Sequence, residues 1–134
     1  MNAVANAAFS HFEAGIDTVT DMRSNLTWSH TLGEGNFKKA EKLIAEANKK
    51  KLGGFDDWRL PTVEELFCLA DRSRYNPAID TDFFPDTKSD WYWTASSGAF
   101  DSGSAWIVHF DDGGSNAFGR AYDAFVRAVR SARQ

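Results

Sequence analysis

The chain has 134 residues, of which 43% are hydrophobic and 25% are charged, and its formal net charge is −4. This length fits one domain with a core of ordinary size. The acidic balance disfavours a protein that follows nucleic-acid phosphates with clustered lysine and arginine. No apolar run approaches the length of a membrane span, and the first residues lack a secretory signal. We therefore expect a cytoplasmic protein that contacts neither a membrane nor nucleic acid directly.

The N-terminal third combines a loose start with a hairpin. Residues 1–15 are rich in alanine and asparagine, so we expect a flexible or short helical arm there, followed by a single domain over residues 16–134. Two β-prone runs, 16–21 and 26–30, flank turn residues and predict a β-hairpin. The next five residues, 31–35, are predicted to form a loop.

Two helices follow the hairpin. The first is predicted over residues 37–51, with Asn36 as its cap and apolar residues at the spacing of one helical face. The second is predicted over residues 63–71. Thr62 and Glu65 precede and enter it at the spacing of a capping box, in which each side chain bonds a backbone amide of the other residue.

Residues 53–66 join the two helices, and the rest of the chain is organised around them. Trp58 lies in the middle of this segment and is expected to be buried between the helices, because large aromatic side chains dominate core energetics. The alternative is that Trp58 offers a platform for a ligand. The residues predicted to be structural are Trp28, Trp58, Arg59, Pro61, Trp93 and Trp106.

Four β-prone runs occupy the C-terminal part, after a long irregular loop at 74–88. They cover residues 91–96, 105–110, 116–120 and 125–130. Glycine-containing turns join the first three and indicate an antiparallel meander. The predicted fold class is therefore α+β, with two helices packed on a twisted antiparallel sheet and long irregular loops.

Residue types that carry catalysis or bind metals are few and scattered. Cys68 is the one cysteine, so no disulfide can form within the chain, and its helical context favours a small buried hydrophobe over a nucleophile. His11, His30 and His109 lack the spacing of metal ligands. We therefore predict no enzymatic activity, no metal site and no cofactor.

One block, Asp57-Trp58-Arg59-Leu60-Pro61-Thr62, is specific, and other segments accompany it in a set order. These are Thr18-Val19-Thr20-Asp21, Leu26-Thr27-Trp28, Gly54-Phe55-Asp56, Val63-Glu64-Glu65-Leu66, Asn76-Pro77-Ala78-Ile79-Asp80, Phe84-Pro85, Trp91-Tyr92-Trp93-Thr94-Ala95-Ser96, Ala105-Trp106-Ile107-Val108 and Val126-Arg127-Ala128-Val129-Arg130. In this order they resemble a bacterial domain family named for the C-terminal domain of Legionella collagen-like adhesins, over about residues 16 to 130. That family is related to C-type-lectin-like folds.

The resemblance implies a C-type-lectin-like fold and a binding module of the kind found in secreted, cell-surface and phage proteins. In related folds the partner surface lies on loops and strand edges beside the meander. The corresponding region of this chain mixes aromatic and charged side chains, as protein interfaces do. The predicted partner-binding residues are Phe100, Asp101, Asn116, Phe118, Arg120, Tyr122 and Asp123. The alternative is that Phe118 and Tyr122 fill the core.

Three functional hypotheses follow. The first is a non-enzymatic module that recognises a protein partner through loops and strand edges. The second is a small phage-type inhibitor, similar to counter-defence and anti-CRISPR proteins, that acts in the host cell cytoplasm and masks a basic nucleic-acid-binding surface. It is motivated by residues 55–112, whose twelve acidic and four basic side chains give a local charge of −8. The third is a calcium- or sugar-dependent lectin, although the Glu-Pro-Asn and Gln-Pro-Asp motifs of such lectins are missing.

Overall fold

The computed structural model of the protein describes residues 11–97 and 103–132. The strands are β1 (Phe12–Ala14), β2 (Thr18–Asp21), β3 (Leu26–Gly35), β4 (Trp91–Ser97), β5 (Ser104–His109), β6 (Ser115–Gly119) and β7 (Ala124–Ser131). The helices are α1 (Phe37–Lys49) and α2 (Val63–Leu69), and a short 3-10 turn lies at Leu52–Gly54. The strands form one sheet in the order β1-β2-β3-β7-β4-β5-β6.

The last strand of the chain lies at the centre of the sheet. β7 pairs antiparallel with β3 on one side and parallel with β4 on the other, where Tyr92 is opposite Phe125. It therefore joins the N-terminal strands to the meander formed by β4, β5 and β6. Most residues of β7 are buried, as expected for a strand covered on both faces.

The predicted fold class is wrong in both its proportions and its type of sheet. Among the described residues the protein is a seven-stranded mixed sheet with two helices, and 38% of those residues are strand against 20% helix. One reason is that residues 31–35, predicted to be a loop, continue β3 to a length of ten residues. The other is the parallel pairing of β4 with β7, because strands distant in sequence pair without any local signal.

The two helices cover opposite faces of the sheet. On one face Val126 of β7 packs in the same buried cluster as Ile44 of α1. On the other face Val129 packs in the same cluster as Leu66 of α2. Successive strand residues alternate between faces, so an even and an odd position of β7 mark the two sides. The expectation that both helices close over Trp58 is therefore wrong, since Trp58 belongs to the α1 cluster.

Local signals placed the helix starts correctly. The Asn36 side chain accepts a hydrogen bond from the Lys39 N–H at 2.9 Å and caps α1. Thr62 and Glu65 form the predicted capping box at the start of α2, with both reciprocal hydrogen bonds present. Both helix starts are thus confirmed, and each helix ends two residues before its predicted end.

The N-terminal hairpin is also confirmed. β2 and β3 pair antiparallel, with Val19 opposite Trp28. The strand β1 lies inside the segment predicted to be an arm, pairs with β2 and buries Phe12 to 7% exposure. Residues 1–10 are outside the described part of the chain, and the division into an arm and a domain stays a prediction.

Candidate functional site

The segment that contains Trp58 is held by hydrogen bonds on several sides. Trp58 is 3% exposed, and its indole N–H donates to the Leu52 carbonyl at 3.0 Å. The Asn48 side chain accepts from the Trp58 backbone N–H at 2.6 Å and donates to the Trp58 carbonyl at 3.0 Å. The buried Pro61 accepts from the Ala95 N–H of β4 at 2.7 Å. Trp58 therefore offers a ligand neither open surface nor an unused polar group.

Arg59 connects this segment to the central strand and to α2. Its backbone exchanges two hydrogen bonds of 2.9 Å with Val129 of β7. Its guanidinium donates twice, each time at 2.8 Å, to the carboxylate of Glu65. These bonds to Arg59, together with the capping bonds to Thr62, hold the pKa of Glu65 below its ordinary value. The same pairing raises the pKa of Arg59.

A buried arginine that the sequence analysis did not single out lies on the α2 face. Arg127 is 0% exposed and donates to the Ser29 carbonyl and the Thr87 hydroxyl, each at 2.7 Å. Its guanidinium lies 3.6 Å from the Asp86 carboxylate and 4.9 Å from the centre of the Phe84 ring. Burial lowers the pKa of Arg127. The available signal was an arginine between apolar residues of a central strand, which must find partners inside the fold.

Four aromatic side chains form a continuous row near the edge of the sheet. The ring centre of Trp91 lies 4.3 Å from that of His109 and 5.1 Å from that of Phe118. Phe118 in turn lies 5.7 Å from Tyr122. We name His109, Trp91, Phe118 and Tyr122, in this order, the aromatic row. Tyr122 is 66% exposed and the other three are half-buried, so the row presents ring surface to solvent on a sheet-based support.

The strand β6 forms the outer edge beside the row, and part of its backbone is already engaged. The Ala117 N–H donates to the Asn116 side chain at 2.8 Å. The Gly119 carbonyl accepts from the Tyr122 N–H at 3.1 Å. An edge strand with unused backbone groups invites an added strand from a partner. Two backbone groups of this edge are therefore used within the chain, and the side chains beside them offer a further recognition element.

Arg120 fastens the end of β6 to the start of α1. Its guanidinium lies 4.7 Å from the centre of the Phe37 ring and donates to the Ser97 hydroxyl at 3.0 Å. Its carbonyl accepts from the Phe37 N–H at 2.9 Å. Arg120 is half-buried by these contacts, so it ties the segment between Phe118 and Tyr122 to α1 while part of its surface stays accessible.

The predicted partner-binding residues divide into three groups. Phe100 and Asp101 lie outside the described residues. Asn116 and Asp123 are exposed on β6 and directly after the turn that follows it. Of the remaining three, Phe118 and Tyr122 belong to the row, and Arg120 lies between them in the chain. The structure therefore brings Phe118 and Tyr122 of the predicted set into contact.

Two members of the row, Trp91 and His109, were not predicted to belong to this surface. In the sequence, Trp91 was noted only within the family segments, and His109 was considered only as a possible metal ligand. The two are opposite each other in the β4–β5 pair. A cross-strand aromatic pair at the end of a predicted meander is the signal that could have found them.

The predicted structural residues differ in their exposure. Trp28 and Trp93 are 1% and 0% exposed, and the Trp93 indole N–H donates to the Gly35 carbonyl at 2.9 Å. Trp106 is half-buried, and the Arg59 side chain is exposed although its bonds are satisfied. Burial alone therefore does not identify the residues that hold the fold.

A groove of about 610 Å³ lies on the α2 side, between the β2–β3 turn and α2. Its lining includes Asp21, Arg23 and Cys68. Cys68 is exposed, so the prediction that it is a buried hydrophobe is wrong. The reason is the rotational position of Cys68 on α2, because Leu66 and Leu69 fill the inward face and Cys68 lies on the outer side.

Two further features concern ions and membranes. Within residues 11–97 and 103–132, no group of three or more His, Cys, Asp or Glu side chains is placed to hold a metal ion. No helix in the same ranges combines the length and the apolar character needed to cross a membrane.

Together, the mixed sheet and the aromatic row define a β-rich domain with a side-chain surface at its edge. The family model described as Lcl C-terminal domain matches residues 17–130, and the chain belongs to that family. The resemblance inferred from the block at residues 57–62 is therefore confirmed. No curated protein matches the chain.

Membership of this family corrects the expected location. The family is that of a Legionella collagen-like adhesin, a surface or secreted protein, so the prediction of a cytoplasmic protein is wrong. That prediction used the absence of a signal in the given residues, which does not determine where a domain acts. The family is adhesin-associated and is not a known enzyme family, and it is compatible with a binding module.

Proposed function

We propose that this domain is a non-enzymatic binding module that holds a protein partner against the aromatic row and the side chains of the β6 edge. The observation that carries the proposal is the exposure of Tyr122, 66%, at the end of a row of four rings in contact. Tyrosine and tryptophan are enriched at protein interfaces because they bury a large area with few rotatable bonds.

The support behind the row favours recognition by a preformed surface. Phe118 lies between Trp91 and Tyr122, so it fixes their positions even though it is half-buried. This combines the two alternatives for Phe118, as a filler of the interior and as a contact residue. A surface whose side chains are already ordered loses less conformational entropy when a partner binds.

The test uses a partner captured with the wild-type domain from extracts of the source organism. Tyr122→Ala is expected to raise the Kd for that partner by about tenfold or more, because central aromatic side chains dominate interface energetics. The matched control is Tyr75→Ala, which removes a tyrosine that is 81% exposed and lies in the loop before β4. Kd values are measured by calorimetry, and circular dichroism verifies that both variants are folded.

Two results would contradict the proposal. An unchanged Kd in Tyr122→Ala, or an equal loss in Tyr75→Ala, would remove the aromatic row as the recognition surface. Arg120→Ala is expected to weaken binding less than Tyr122→Ala, since Arg120 is half-buried and acts mainly by tying the segment between Phe118 and Tyr122 to α1.

The thermal stability of the domain with calcium and with EDTA distinguishes the lectin alternative from the proposed function. A calcium-dependent binder gains thermal stability when calcium is added and loses it with EDTA, because a ligand that binds the folded state raises Tm. The proposed protein-binding module is expected to keep its Tm in both conditions.

A further inference from the structure

This inference rests on the proposed function and names the chemistry of the partner. We propose that the aromatic row receives a basic segment of a protein, whose lysine or arginine side chains lie over the rings and pair with carboxylates at the two ends of the row.

Exposed carboxylates flank the row at both ends. At the His109 end, the Asp111 N–H donates to the Nδ1 atom of His109 at 2.9 Å, which places Asp111 directly beside the ring. The neighbouring Asp90 accepts from the Trp91 N–H at 2.8 Å. At the other end Asp123 follows Tyr122 in the chain. All three aspartates are exposed, so a segment that lies along the row meets negative charge at either end.

Exposed acidic side chains outnumber exposed basic ones in the segments that carry the row. In residues 88–97 and 103–132 the acidic side chains are Asp90, Asp111, Asp112 and Asp123, all four exposed, and the one lysine is the exposed Lys88. Of the three arginines in these ranges, Arg127 and Arg130 are buried at 0% and 4% exposure. The remaining one, Arg120, is half-buried against Phe37 and Ser97. A surface of this kind is complementary to a cationic partner and attracts it before contact.

Aromatic rings add a second attraction for cations. The electron-rich face of an aromatic ring binds ammonium and guanidinium groups within about 6 Å of its centre, and tryptophan is the best such ring. The protein uses the same contact internally. The guanidinium of Arg72 lies 3.5 Å from the centre of the Phe67 ring, and that of Arg130 lies 3.8 Å from the centre of the Phe55 ring. Ring faces and carboxylates on one surface therefore favour lysine- and arginine-rich segments over acidic or neutral ones.

The probes are three synthetic nine-residue peptides in which serine alternates with lysine, glutamate or glutamine. Each is titrated into the 15N-labelled domain, and shifts of the backbone and indole N–H signals are followed by NMR. We expect the lysine peptide to shift the Trp91 indole signal and the glutamate peptide to leave it unchanged. Between 20 and 200 mM salt, the Kd for the lysine peptide is expected to rise by about fivefold or more, because added salt screens exposed charges.

Variants that replace carboxylates with amides test whether the peptide binds to the charges beside the row or to the negative charge of the domain as a whole. The double variant Asp111→Asn with Asp123→Asn is expected to raise the Kd for the lysine peptide by about fivefold, through loss of the attraction at both ends. The matched control, Asp56→Asn with Glu41→Gln, removes the same charge from exposed positions outside the row. The inference is overturned if the control weakens binding equally, or if the glutamate peptide binds as well as the lysine peptide.

The captured partner distinguishes this inference from the proposed function. If Tyr122→Ala weakens binding of that partner while the Asp111 and Asp123 double variant does not, the basic segment is excluded and the binding surface stands. If neither variant changes the Kd of the captured partner, both proposals fail.

Discussion

Trp58 and Tyr122 are both large aromatic side chains, yet they occupy opposite kinds of position. Trp58 is 3% exposed, and its indole N–H and both of its backbone polar groups are hydrogen-bonded within the chain. Tyr122 is 66% exposed at the end of a row of rings. The aromatic residues, which make up 14% of this chain, therefore have two different roles. One set of rings fixes the fold, and the other leaves apolar surface for a partner.

The surroundings of Trp58 and Tyr122 differ more clearly in their hydrogen bonds within the chain than in their residue types. Around Trp58, the neighbours Arg59 and Pro61 each bond to a different element of the fold. The segment therefore behaves as a joint between α1, β7, β4 and α2. Around Tyr122, rings contact rings on a half-exposed surface, where a partner can add contacts without displacing any of those bonds.

The largest loss of stability is expected when the indole of Trp58 is removed. Trp58→Ala should lower the free energy of unfolding by about 3–5 kcal/mol, because a large buried side chain is replaced by a cavity and an unpaired carbonyl. Tyr122→Ala should change it by less than about 0.5 kcal/mol, as expected for an exposed position. Urea denaturation followed by circular dichroism measures both. Similar losses in the two variants would abolish the distinction between the two sets of rings.

A smaller loss is expected from the buried arginine. Arg127→Met keeps most of the side-chain volume but removes the donors to Ser29 and Thr87. We expect a loss of about 2 kcal/mol in the free energy of unfolding, the cost of leaving buried acceptors unpaired. Arg120→Met is the control at a half-buried position. If Arg127→Met is neutral or stabilising, the buried guanidinium contributes no net stability, as replacement of some buried ion pairs has shown.

The smallest effect concerns Glu65 and depends on pH. The folded pKa of Glu65 is held below its ordinary value of 4.5, first by its hydrogen bonds to Arg59. The carboxylate therefore stabilises the fold fully above pH 4.5, and this contribution is lost as the pH falls through the folded pKa. At pH 7, Glu65→Gln should cost about 1 kcal/mol.

The control for this prediction is the exposed neighbour, in the variant Glu64→Gln. Its free energy of unfolding at pH 7 should stay within about 0.5 kcal/mol of the wild type, as expected for an exposed side chain. The gap between the wild type and Glu65→Gln should narrow as the pH falls below about 4.5. A gap that stays constant with pH would mean that the charge of Glu65 does not contribute.

Local signals in the sequence predicted the local structure. Asn36 and the pair Thr62 and Glu65 set the helix starts, because a cap is decided by residues within one turn. The hairpin of β2 and β3 and the four later strands likewise followed from alternation and turn residues. These features depend on neighbours in the chain, which the sequence displays directly.

Such local signals did not predict which strands pair or which face of the sheet each helix covers. The pairing of β7 with β3 and β4 joins strands far apart in the chain, and nothing in a single sequence marks which strands will meet. The helices were expected to share Trp58, but their attachment to opposite faces depends on that same central strand. Trp91 and His109 were missed for a related reason, since the row forms only when β4, β5 and β6 lie side by side.

The central place of β7 also has a consequence for how the protein is made. Both halves of the sheet need this strand to complete their hydrogen bonding, yet it follows every other described strand and helix along the chain. During synthesis, the earlier strands and helices leave the ribosome before their shared neighbour exists. The domain therefore completes its fold only after translation has passed Ser131, and a chain interrupted before Ala124 lacks the piece that unites its two sides.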